Sequence, residues 1–62
     1  MYSITIFYGE TYERKILNPY DDVALCVAIG NDYMDYYTDV KGYDVVNRET
    51  GVVVAYKFKK GE

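Results

Sequence analysis

Residues Asn18 to Tyr37, NPYDDVALCVAIGNDYMDYY, hold the one long apolar run that does not read as a strand, so the other segments must pack on it. A helix suits this run. Asn18 is a good N-cap, Pro19 suits the first helical position because its missing N–H needs no partner there, and Asp21 and Asp22 favour the positive helix end. From Val23 onward, Leu25, Ile29 and Tyr33 make one stripe at spacings of four and Val23, Val27 and Asn31 make another, more apolar surface than one sheet needs. Gly30-Asn31 offers a left-handed stop, but continuation through Met34 to Tyr37, with a weak point at Gly30, is the preferred reading.

The rest of the chain reads as strands. Tyr2, Ile4, Ile6 and Tyr8 alternate with Ser3, Thr5 and Phe7 until Gly9 breaks the pattern, and Tyr12 to Leu17 follows as a second strand. A two-residue turn at Gly9-Glu10 would set Ile6 opposite Glu13. A three-residue turn that includes Thr11 would set Tyr8 opposite Tyr12 and Ile4 opposite Ile16, and is preferred because it keeps one face apolar. Beyond a loop at Thr38 to Gly42, Tyr43 to Arg48 and Val52 to Lys59 form a second hairpin. A turn of Thr50-Gly51 alone pairs Tyr43 with Phe58 and Asp44 with Lys57, and is favoured over one that also takes Glu49 and moves the register by one. The expected fold is therefore α+β, a single domain over residues 1–62, ordered ββαββ with the helix laid across a small antiparallel sheet. Lys57, Lys59 and Lys60 are read as guards against edge-to-edge pairing.

A chain of 62 residues buries only about 60% of the surface it exposes when unfolded, too little for a deep catalytic cleft. Half of it is apolar, which points to a folded globule. Cys26, the single cysteine, sits inside the apolar run and reads as a buried thiol in a reducing interior. With no run of apolar residues long enough to span a bilayer and no secretion signal, the expected location is the cytoplasm.

Catalytic chemistry is hard to assemble from these residues. The chain has no histidine, its only serine (Ser3) lies in a strand, and no glycine-rich phosphate loop is present. Asp32, Asp35 and Asp39 depart from the spacing of a calcium loop and lack its closing glutamate. No enzyme activity, metal or cofactor is expected. The net charge of -3 is unevenly spread: between Asn18 and Asp44, Asp21, Asp22, Asp32, Asp35, Asp39 and Asp44 oppose Lys41 alone, whereas the final segment is mildly basic. An acidic middle repels phosphates and invites a cationic partner.

That middle ends in NDYMDYYTDVKGYD, which interleaves tyrosines with aspartates. Tyrosine offers a stiff contact area with a polar tip, and flanking carboxylates steer a basic partner. Asp32, Tyr33, Asp35, Tyr36, Tyr37, Asp39 and Tyr43 are therefore the candidate partner-binding residues. The competing use is core filling, since the chain has nine tyrosines, two phenylalanines and no tryptophan, and Tyr33 or Tyr36 is the expected core residue.

The capped helix N-P-Y-D-D-V-A-L between a strand pair and the hairpin V-V-N-R-E-T-G-V-V-V-A-Y-K resembles small inhibitor proteins of bacteriophages and mobile elements, among them anti-CRISPR proteins and phage inhibitors of host RNA polymerase. The resemblance implies a stoichiometric inhibitor that docks on a larger host protein, often at a basic, nucleic-acid-binding surface such as that of a CRISPR effector. The alternative is a homodimeric interaction module closed by the surplus helix face around Val23 and Val27. Direct nucleic-acid binding through Arg48, Lys57, Lys59 and Lys60 with Tyr56 is disfavoured by the overall charge.

Overall fold

The computed structural model describes residues 1–59, which form β1 (Tyr2–Tyr8), β2 (Glu13–Ile16), α1 (Val23–Tyr36), β3 (Val40–Asn47) and β4 (Val53–Phe58). This is the expected ββαββ order. The strands make one antiparallel sheet in the order β2-β1-β3-β4, with the two hairpins joined along β1 and β3. Ile4, Ile6, Tyr43 and Val45 point from the two central strands toward the helix and form the core with Cys26, Met34 and Val40.

The helix begins later than Asn18-Pro19 suggests. Tyr2 and Tyr20 exchange backbone hydrogen bonds of 2.7 and 3.0 Å, which hold Tyr20 extended beside the start of β1. Asp22 is the N-cap instead, its carboxylate accepting the Ala24 N–H at 2.9 Å. The helix then runs without interruption to Tyr36. Its buried line is Cys26, Gly30 and Met34, which neither expected stripe contains. Val27, Ile29 and Tyr33 flank that line against the core, while Leu25 is exposed. Gly30 marks a close approach rather than a break, because the ring of Tyr43 occupies the space a side chain there would need.

Both hairpins take a different register from the one preferred. Tyr8 faces Glu13, Ile6 faces Lys15 and Thr5 faces Ile16, so four residues, Gly9 to Tyr12, make the first turn. Tyr12 closes it in the left-handed region with φ 56° and Gly9 has φ 74°. Ile16 consequently lies on the sheet face away from the helix, 69% exposed, rather than opposite Ile4. In the second hairpin Tyr43 faces Lys57, Asp44 faces Tyr56 and Val45 faces Ala55. The wider turn wins because Asn47 accepts hydrogen bonds from the N–H groups of Glu49 and Thr50 through its side chain and from Gly51 through its carbonyl. β3 also starts at Val40, inside the expected loop, because Val40 and Gly42 pair with Tyr8 and Phe7.

β4 is an edge strand whose side chains are mostly exposed. A bulge opposite Val45 and Val46 disturbs it, and Lys57 faces the helix side of the sheet beside Tyr43. Bulges and inward-pointing charges both discourage strand addition. Lys60, the last of the three lysines read as guards, lies outside the described residues. Among the described residues no helix is long and apolar enough to cross a membrane.

Candidate protein-binding surface and adjoining groove

The last turn of α1 and the short link to β3 carry most of the candidate residues. Helical spacing sends Met34 into the core and leaves Asp32, Asp35 and Tyr36 outward. Tyr37 ends the helix with extended backbone angles, its N–H donating to the Tyr33 carbonyl at 3.0 Å, and this bond fixes where the tyrosines stand. The Tyr36 and Tyr37 rings meet edge to face with centroids 4.8 Å apart, and Tyr37 leans on Tyr33 at 5.4 Å. Such pairs hold each other rigid and limit the entropy lost on binding.

The solvent-facing part of this cluster is large. Tyr36 is 79% exposed and Tyr37 46%, with Asp32, Asp35 and Asp39 exposed around them. None of the side-chain hydrogen bonds among the described residues uses those three carboxylates. Asp35 also stands at the wrong end of the helix for stability, because the carbonyl end of α1 carries partial negative charge and its last turn holds no basic residue.

Tyr43 does not belong to this surface. It is 2% exposed, packs on Gly30, and donates its hydroxyl to Asn31 Oδ1 at 3.1 Å. Burial raises the pKa of its phenol above the usual tyrosine value. The core tyrosine is therefore Tyr43, whereas Tyr36 is among the most exposed residues and Tyr33 is half-buried against the core. A tyrosine on a strand next to a helical glycine is buried by its partner's lack of a side chain, a relationship that local pattern does not reveal.

The helix lies over β1 and β3 and reaches β4, whereas β2 packs on β1 alone. An open groove of about 320 Å³ therefore runs between the helix end and β2. Ile6 and Val40 contribute its apolar lining, with Tyr8, Tyr33 and Tyr37 around them, and Lys15 and Asp39 supply its charges. Tyr8 and Lys15 were not among the sequence candidates. Only the register of the first hairpin places Lys15 on the inner face beside Ile6, and that register follows from turn length.

Two further groups are perturbed away from this end. Burial raises the Cys26 thiol pKa, with the Asp22 carboxylate adding to the effect. Asp44 sits on the sheet face away from the helix, opposite Thr5 and Tyr56. Its Oδ1 is buried without a hydrogen-bond partner among the described residues, and burial raises its pKa against the opposing influence of the Thr5 hydroxyl and Arg14. Among the described residues no group of three or more histidine, cysteine or acidic side chains is placed to hold a metal ion. No protein-family description matches the chain, and neither curated proteins nor solved structures showed one similar to it.

Proposed function

We propose that this protein is a non-enzymatic binding module, an inhibitor in its simplest form, that docks the end of α1 on a basic surface of a larger protein. The observation that carries the reading is the exposed Tyr36–Tyr37 pair framed by Asp32, Asp35 and Asp39 at the negative end of a helix. A carboxylate in the last turn, where Asp35 lies, opposes helix stability by roughly 0.3–1 kcal/mol. Features that cost the fold something concentrate where a chain does its work. Tyrosines supply the contact area and the carboxylates raise the rate of encounter with a cationic surface. That the surface is the nucleic-acid-binding face of a host protein, such as a CRISPR effector, is the extension suggested by the sequence resemblance to phage and mobile-element inhibitors.

Affinity capture from the native host tests this directly. The native chain is expected to retain a basic protein in a salt-sensitive manner, and a variant carrying Asp32→Lys, Asp35→Lys and Tyr36→Ala is expected to lose it. Recovery of the same partners by both would end the reading.

A further inference from the structure

We infer that the bare face of the sheet seats a second copy of this chain, sheet against sheet, with Arg14 of each copy set against Asp44 of the other. The helix covers one face of the four strands, and among the described residues no element covers the opposite one. The strand registers lay two cross-strand rows over the middle of that opposite face. One runs Arg14, Phe7, Gly42, Phe58 and the other Ile16, Thr5, Asp44, Tyr56. Ile16 is 69% exposed, Tyr56 71% and Phe58 42%, and the Phe58 ring lies on Gly42 with its centroid 5.2 Å from that of Phe7. Contiguous apolar ground of this kind marks a contact surface.

Charge selects the occupant. Among the paired strand positions of this face, Arg14 and Asp44 are the charged residues, one of each sign. They flank β1, Arg14 beside Phe7 on one side and Asp44 beside Thr5 on the other. A two-fold axis crossing β1 near Ile6 therefore exchanges their positions and brings opposite charges together twice, the self-complementarity that an isologous contact requires. Asp44 Oδ1 is buried without a hydrogen-bond partner, and Arg14 takes part in none of the side-chain hydrogen bonds among the described residues. Each can thus bond to the other copy without breaking a bond at home. A nucleic acid would meet a single cation here with a carboxylate beside it. The acidic end of α1 lies on the far side of the sheet, so two copies approach without their aspartate clusters meeting, and both clusters stay outward.

The helix offers less. Val27 packs against the core and Val23 is half-buried, which leaves Leu25 as the exposed large apolar side chain of the first half of α1. On the sheet, four strands spaced about 4.8 Å apart and roughly 20 Å long make a face of roughly 400 Å² in projection. With side-chain relief, two copies bury about 1,000 Å² in total, the threshold for a specific interface. The dimer is therefore expected to form reversibly with concentration.

Light scattering on the native chain from micromolar to millimolar concentration is expected to show passage from one chain mass to two. Ile16→Lys, at a position too exposed to matter to the single chain, should weaken the dimer by at least about tenfold and leave thermal melting of the dilute protein unchanged. Asp44→Asn separates assembly from folding. It should make the dilute single chain more stable and yet weaken the dimer about tenfold, opposite signs that a purely structural carboxylate would not give. Leu25→Lys should leave the dimer intact. A chain that stays monomeric at millimolar concentration would overturn the inference, as would a dimer lost in Leu25→Lys but kept in Ile16→Lys, or one indifferent to Asp44→Asn. A monomer whose Tyr56 and Phe58 ring signals move on addition of oligothymidylate would overturn it too, and would give the face to single-stranded nucleic acid.

Discussion

The ring of Tyr43 lies so close to Gly30 that a Cβ at position 30 would meet two of its carbons at 2.6 Å. The helix backbone rests there directly on the Tyr43 ring, and the Tyr43 hydroxyl bonds to Asn31 one residue further along α1. Gly30→Ala improves helix propensity by about 1 kcal/mol but forces a buried ring to move. A net loss of about 1–3 kcal/mol is expected from urea denaturation, and Tyr43→Leu in the same chain should recover part of it.

Asp44 holds a partly buried carboxylate on an apolar sheet face, with its pKa above the usual value because of burial. A group whose folded pKa is raised binds protons more readily when folded, so stability increases as pH falls from above the folded value toward the unfolded one near 3.9. Asp44→Asn is expected to stabilise the protein by about 1 kcal/mol at pH 7. The gain over the native chain should shrink as pH drops through the native Asp44 pKa, a difference that paired urea titrations across pH will measure.

Asp35 opposes the helix dipole in the last turn. Asp35→Lys is expected to raise stability by about 0.5 kcal/mol while weakening capture of the basic partner. Thermal melting and affinity capture on the same variant read the two effects, and a stabilised variant that still binds fully would separate the carboxylate from recognition.

Cys26 is fully buried and its thiol is held above its usual pKa. Modification by a thiol reagent should therefore wait for opening of the fold, and be slower than in urea-unfolded chain by roughly a hundredfold or more. Rates that match the unfolded chain would mean that α1 opens freely.

Much of the fold was legible because the relevant patterns are local. The alternation of Tyr2 to Tyr8 and the apolar run from Val23 onward specify a strand and a helix without reference to anything else, and the element order follows. The registers were not legible, since they depend on Tyr12 taking a left-handed conformation and on Asn47 satisfying the N–H groups of its turn. The helix start depends on Tyr20 pairing with Tyr2, a contact distant in sequence. For the candidate surface, the clustering of Asp32, Asp35, Tyr36, Tyr37 and Asp39 was visible as composition. Which tyrosine was interior was not, because that depended on Gly30 facing β3.

The slip of β2 has an effect out of proportion to its cause. With three residues in the first turn, Ile16 would have come inside opposite Ile4, with Arg14 rather than Lys15 beside Ile6. With four, the greasy side chain is sent outdoors and the flank of the molecule stays unsealed. Turn length thus decides which β2 side chain stands at the rim of the recess and whether Ile16 joins the interior.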